Sequence, residues 1–253
     1  MTFTMWRGVV GMVKPTRRPG SLEELIRLLP QGIGVVPLLL NIRQGNEEEF
    51  HAARPIYEKH AAELAEQGVD FIHLGGTPPF MLLGYDGAAR LTDEWSKKYK
   101  TPIYTDGQIH VSALRALGIK KFIGASYSAL QNKIVIDYMT QAGFRVVSMD
   151  PIDVPFDQAG HITQEACYAH IKRLFRANKG ADGIYIQGGA WRTAGIVEML
   201  EQDLQVPVVH ANVCQSWVIQ KRLLVHEPRS GFGRLLKELP ELDGVVRSIF
   251  VTH

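Results

Sequence analysis

The chain has 253 residues, 45% of them hydrophobic and 21% charged, with a formal net charge of +2. That is an ordinary globular composition, long enough for one large domain or two joined ones. No basic stripe or aromatic-basic pattern points to nucleic acid, the longest apolar stretch, Ile33 to Leu40, is too short to span a bilayer, and two cysteines, Cys167 and Cys214, exclude a disulfide scaffold and fit a reducing compartment. The N-terminus lacks a charged-then-apolar signal pattern, so a cytoplasmic location is the default expectation.

Trp6 to Val13 predicts a first strand, and Lys14 to Gly20 the loop leaving its carboxyl end. Ser21 caps a helix, with Glu24 three residues on at the spacing of a capping box. Pro30 to Gly32 stops that helix, and Ile33 to Leu40 is a second strand. Asn46 to Gln67 has helical spacing, with Glu47, Glu48 and Glu49 where a helix N-terminus favours acids and Gly68 as its terminator. After an apolar run ending at Gly75, Gly84 to Lys100 is helical, Pro102 to Thr105 a short strand, and Val111 to Leu117 a helix stopped by Gly118. Lys121 to Ala125 is a strand, Leu130 to Gln141 a helix, and Arg145 to Met149 a strand. Residues 151–161 form a loop, Gln164 to Asn178 a helix, Ala194 to Gln202 another, Pro207 to His210 a strand and Gln215 to Leu224 a helix. From Glu227 a loop, a short helix near Leu235 and an apolar end complete the chain.

One stretch occurs twice. Residues 68–80, GVDFIHLGGTPPF, align without a gap on residues 180–192, GADGIYIQGGAWR, at an offset of 112. Each copy is an apolar run that stops at glycine, as a buried parallel strand does on delivering its chain to a tight turn. Strands alternating with helices imply an α/β fold with parallel sheets. The repeat implies two similar flavodoxin-like halves related by a pseudo-two-fold axis: residues 1–117 plus 215–253, and 118–214. Ligands in such sheets bind at the carboxyl ends of the strands. That rule places a pocket among residues 14–16, 75–79, 105–108, 126–128, 187–190 and 210–212.

The motifs GMVKP (11–15), QGVDFIHLGGT (67–77), ALRALGIKKF (113–122), SY (126–127), ADGIYIQGG (181–189), VPVVHAN (206–212) and GFGRLL (231–236) lie in an order that resembles the aspartate/glutamate racemase superfamily, in its arylmalonate decarboxylase and maleate isomerase branch. The resemblance spans nearly the whole chain. It implies a pocket between the halves that holds a small carboxylate, with cysteines at the ends of the two repeat strands as acid, base or nucleophile. In this chain the matching positions are Gly76 and Gly188. Neither two-thiol chemistry nor thiol protonation therefore carries over. Two glycines in place of two thiols lead us to expect extra room.

The resemblance places Thr77 in the carboxylate-holding loop and Tyr127 as the pocket tyrosine, and these two are the catalytic candidates. Thr77 and the N–H groups around Gly76 would form an oxyanion hole, and Tyr127 would donate a hydrogen bond, or a proton if its pKa were lowered. Pro15, Lys14, Gly75, Gly76, Thr77, Tyr127, Gly188 and Gly189 are the substrate-binding candidates, with Lys14 a partner for a second carboxylate. His73, Asp106, His110 and His210 are candidates for the missing acid or base, His73 being better read as a hydrogen-bonded core residue. Cys167 and His170 share a helix face with no third ligand close by, and no phosphate loop or dinucleotide fingerprint is present, so no metal and no cofactor are expected. The expected activity is that of a cofactor-independent decarboxylase or isomerase acting through an enolate-like intermediate without cysteines. A catalytically silent carboxylate-binding protein, or a racemase using other acid/base residues, stands as the alternative. The expected partner is a small carboxylate, with neither nucleic acid nor membrane; a homo-oligomer stays open.

Overall fold

A computed structural model describes residues 5–18 and 20–242. The apolar C-terminal end lies outside the described residues. In chain order the elements are β1 (Gly8–Lys14), α1 (Gly20–Leu28), β2 (Ile33–Leu39), α2 (Glu47–Glu66), β3 (Phe71–Leu74), α3 (Thr77–Met81), α4 (Tyr85–Tyr99), β4 (Ile103–Thr105) and α5 (Asp106–Ala116). They continue with β5 (Lys121–Ser126), α6 (Ala129–Gln141), β6 (Arg145–Pro151), α7 (Gln164–Ala177), β7 (Gly183–Ile186), α8 (Val197–Leu204), β8 (Val208–His210), α9 (Ala211–Arg222) and α10 (Arg234–Glu238). Two 3₁₀ turns cover Phe156–His161 and Ala194–Ile196. No helix among the described residues is long and apolar enough to cross a membrane.

The strands form two four-stranded parallel sheets, ordered β2-β1-β3-β4 and β6-β5-β7-β8. The second order is the first shifted by four strands, so each sheet is wound the same way. The repeated stretch supplies the third-listed strand of each, and every residue of β3 and β7 is buried. Burial on both faces is what covering helices impose on an inner parallel strand, and it explains why neither run alternates polar with apolar. The repeat also carries its own fastener. The carboxylate of Asp70 accepts the N–H of Val9 at 2.6 Å, and its counterpart Asp182 accepts those of Lys120 and Lys121 at 3.0 and 2.8 Å. Each aspartate thus ties its strand to the start of the neighbouring one, in β1 and β5.

Four local features differ from expectation. Helix α5 begins at Asp106 rather than Val111, and α9 at Ala211 rather than Gln215. For α5 the cause is a capping box: the Thr105 side chain accepts the Gln108 N–H, and the Gln108 side chain accepts the Thr105 N–H at 2.8 Å. The supposed box at Ser21 and Glu24 is used otherwise, because the Glu24 carboxylate takes the Ala194 N–H and the Asn212 side-chain amide. Helix α3 was not expected; it starts at the first glycine turn with two prolines in its first turn, where missing N–H groups cost nothing.

Helix α9 leaves β8 of the second sheet and lies against α1 and α5 of the first. Ser216 donates to the Leu28 carbonyl at 2.9 Å, and Trp217, Val218 and Ile219 are fully buried there. This crossing helix brings the carboxyl ends of the two sheets to a common pocket.

Candidate active site

The pocket is a cavity of about 50 Å³, small enough to hold one short acid or a few waters. Lys14, Pro15, Gly76, Thr77, Tyr127, Gly188 and Gly189 all line it, so seven of the eight expected binding residues are gathered in one place. Gly75 stands behind them. Its N–H donates to the Val13 carbonyl at 2.8 Å, and its carbonyl accepts the Tyr57 hydroxyl at 2.7 Å. Both backbone groups are satisfied within the protein, and Gly75 offers nothing to a ligand.

The first glycine turn is built around a carboxylate that the strand ends bring in. Asp106, the first residue of α5, accepts the Gly76 N–H at 2.6 Å, the Gln215 side-chain amide at 2.9 Å, and shares a 2.8 Å hydrogen bond with His73 Nε2. Burial pushes Asp106 up, but His73, His110 and Lys14 outweigh it and hold the carboxylate well below its usual range. Asp106 is therefore an anion in the pocket wall. The expected oxyanion hole around Gly76 is accordingly reduced, since its N–H is already engaged and Pro78 and Pro79 have none to give. What remains is Thr77, whose hydroxyl and N–H have no partner among the described residues.

The second turn is better supplied. The N–H groups of Gly188, Gly189 and Ala190 donate to nothing among the described residues, while the Gly188 carbonyl accepts the Trp191 indole at 2.8 Å and fixes the turn. Gly76 and Gly188 have φ of +96° and +89°, a conformation that side chains rarely adopt.

The two glycines do not enlarge the pocket, contrary to expectation. A Cβ at Gly76 would stand 2.8 Å from the Tyr57 hydroxyl and 3.0 Å from the Pro15 ring. A Cβ at Gly188 would overlap the ring edge of Tyr127 and stand 2.8 Å from its hydroxyl. The room a side chain would need is occupied by aromatic and proline rings. Gly188→Ala should therefore lose about 2–3 kcal/mol, from the positive φ together with overpacking. The check is a urea titration, which should give a lower midpoint at unchanged slope.

Tyr127 follows β5 and is wedged edge-on against Trp191, with ring centroids 5.5 Å apart. Its hydroxyl has no partner among the described residues. Burial raises its pKa, Asp106 adds to the rise, and Arg18 opposes it. The pKa is raised and not lowered, so the phenol keeps its proton and is a neutral donor.

Lys14 ends β1 and is buried, yet its ammonium makes no hydrogen bond or ion pair among the described residues. Burial holds its pKa below the ordinary lysine range, against the pull of Asp106 and Glu24. Over the pocket, Arg18 donates to the Phe156 carbonyl and lies 4.4 Å from the Phe156 ring centroid. Beside it the Gln131 amide donates to the Gly45 carbonyl at 3.3 Å. The Glu49 carboxylate holds that Gly45 loop by accepting the N–H groups of Arg43, Gln44 and Gly45.

Sequence reasoning did not place Arg18, Ser21, Phe50, Gln131, Phe156 or Gln215 in the pocket lining. They come from helices and loops, and no strand-end rule reaches them. Of the proton-carrier candidates, only Asp106 lines the pocket. His73 bonds Asp106, His110 Nδ1 meets the Tyr185 hydroxyl at 2.8 Å, and His210 Nε2 meets the Thr193 hydroxyl at 3.1 Å, all fully buried. Burial lowers the pKa of His110 to about 4 and that of His210 in the same direction, so both rings stay neutral near pH 7. Cys167 and Cys214 are buried away from the cavity, and burial pushes the Cys167 thiol up to about 12 and the Cys214 thiol well up too.

Among solved structures, the chain is similar to the maleate isomerase Iso from Pseudomonas putida S16 at 19% identity, covering 92% of this chain and 99% of that one with a TM-score of 0.84. Maleate cis-trans isomerase from Nocardia farcinica bound to TRIS aligns at 18% identity over 91% and 98% with a TM-score of 0.82. Unliganded arylmalonate decarboxylase aligns at 21% identity over 91% and 99% with a TM-score of 0.77. These likenesses are of fold. No curated protein sequence matches the chain. The family model for arylmalonate decarboxylase matches residues 22–236, which include seven of the eight strands, all but β1, and both glycine turns. By that match the chain belongs to the arylmalonate decarboxylase family.

Proposed function

We propose that the protein is an enzyme on a small carboxylic acid, working without cofactor or cysteine through an enolate-like intermediate, as a decarboxylase or isomerase. The observation that carries this reading is the position of the Tyr127 hydroxyl, 2.8 Å from where a side chain at residue 188 would begin. By the resemblance, that is the place of the second thiol. A protonated phenol there can deliver its proton to a carbanion, and its raised pKa suits a strongly basic carbon acceptor.

In this reading the free N–H groups of Gly188 and Gly189 and the hydroxyl and N–H of Thr77 hold the carboxylate that stays. Negative charge spreading onto that carboxylate in the transition state strengthens these bonds, which is how a fixed set of donors accelerates the step. Pro15 and Gly76 shape the wall, and Lys14 places positive charge at its base. The covalently bound succinylcysteine intermediate in a Nocardia farcinica isomerase mutant belongs to a thiol route. The thiol-free reading is supported by the cavity lining, which contains neither Cys167 nor Cys214.

A racemase would need two bases facing each other across the substrate. His73, His110 and His210 do not line the cavity, which weighs against that alternative. A silent binding protein is favoured by one observation, the capture of the Gly76 N–H by Asp106, which removes a donor from the hole.

The test replaces both cysteines. The Cys167→Ala/Cys214→Ala protein should keep turnover within about threefold of the parent, at a stability cost of about 1–2 kcal/mol from two small buried deletions. Malonates and maleate are the probes, followed by NMR for CO₂ loss, isomer formation or solvent deuterium uptake. Loss of turnover in a folded double variant refutes the thiol-free mechanism. Binding without turnover by the parent across the panel favours the silent reading.

A further inference from the structure

Lys14 is the one buried cation among the described residues that line the pocket, and the proposed reaction asks only charge of it. It is 6% exposed and sits at the end of β1, an inner strand held on both sides by β2 and β3. Its ammonium has two carboxylates in the vicinity, Asp106 and Glu24, and bonds to neither. Asp106 is fully occupied by His73, Gln215 and Gly76, and Glu24 by Ala194 and Asn212. A structural lysine at such depth pairs with an acid, and one serving only solubility reaches water. Lys14 does neither and opens into the cavity.

We infer that Lys14 is an amine nucleophile, and that the substrate is a short 3-oxo acid carrying a second carboxylate, whose ketone condenses with it. This deepens the proposed decarboxylation and rests on that reading for the fate of the carboxylate. Desolvation of the ammonium favours the free amine, the form that attacks. The nitrogen lone pair bonds to the ketone carbon, the oxygen takes protons and leaves as water, and an iminium ion remains. The bond from the α-carbon to the leaving carboxylate then breaks. Its electron pair moves into the iminium, giving an enamine, and CO₂ departs. The α-carbon takes a proton, from Tyr127 in the proposed arrangement. Water adds to the iminium carbon and expels the amine, so that the net change is one proton consumed and one CO₂ released. The second carboxylate stays on the donors of the two glycine turns, and the cationic iminium supplies the electron sink that a cofactor would otherwise provide.

The test is reductive trapping on the full-length protein, which needs no variant. The parent protein is incubated with oxaloacetate or 3-oxoglutarate and sodium borohydride, with malonate as the ketone-free control, and digested for peptide mass spectrometry. A reduced adduct on Lys14 with either oxo acid, absent with malonate, is the expected result. Lys14→Arg keeps the charge without the nucleophile; it should give no adduct and lose at least about a hundredfold in oxo-acid turnover. Circular dichroism confirms its folding, with Lys14→Met as the second variant. Trapping without CO₂ release would keep the nucleophile and overturn the decarboxylase reading. Absence of an adduct on Lys14 overturns the inference. If malonate or maleate is nevertheless turned over, the proposed function stands without it, and Lys14 is a counter-ion. An adduct confined to other lysines also overturns it.

Discussion

Tyr127→Phe should lower kcat/KM about 10²- to 10⁴-fold, the loss expected when a positioned general acid is removed. The ring edge packs on Gly188 and Trp191 and stays in place, so only the hydroxyl is removed. That hydroxyl has no protein partner among the described residues, and its deletion leaves no orphaned donor or acceptor behind. The melting temperature should therefore move by no more than about 3 °C. The fall should lie mainly in kcat, since proton delivery belongs to the transition state while substrate binding keeps the N–H groups of the second turn. An unchanged kcat in the folded variant would remove Tyr127 from the mechanism.

Asp106→Ala should cost about 3–5 kcal/mol of stability, since each buried donor left without its acceptor costs about 1–3 kcal/mol. His73 Nε2, the Gln215 amide and the Gly76 N–H all lose their acceptor at once. The same group shapes the response to acid. Its folded pKa is depressed, so its contribution is present above the ordinary carboxylate range and is lost as pH falls through the folded value. His110 works in the same sense but higher. It is held near 4 in the fold, so the unfolded chain binds its proton first and stability declines as pH drops from about 6.5 toward 4. Urea midpoints across this span should fall steadily for the parent. In the variant the deepest limb, below pH 4, should flatten. An Asp106→Ala protein as stable as its parent at pH 7 would show the network to be idle.

The two glycine-ended runs, the two parallel sheets they belong to and the pocket at their ends were legible because each depends on a local pattern. A short run of buried apolar residues ending in Gly75-Gly76 or Gly188-Gly189 has few other uses. The capping boxes show where that legibility ends. Ser21 to Glu24 and Thr105 to Gln108 both have the spacing, but Glu24 is drawn away to Ala194 and Asn212, far along the chain, while Gln108 is not. Nothing within four residues distinguishes the two. Reading the second box would have started α5 at Asp106, a carboxylate that the strand-end rule already put at the pocket. Gln215 and Arg18 were hidden for a different reason, since each reaches the site only after the two sheets are docked. The glycine positions misled in a third way: a missing side chain says nothing about which neighbour moves in, and here it was Tyr127.

Helix α9, which covers α1 and α5 although it follows β8, sets the order in which the protein can be completed during translation. A ribosome that has released residues 8–116 has made every strand of the first sheet and none of α9, whose Ser216 will bond the Leu28 carbonyl. The flank of α1 and α5 that awaits α9 stays wet until synthesis passes Arg222. The portion born first is therefore finished last, and a nascent chain stalled between β8 and α9 presents a sticky, chaperone-prone surface.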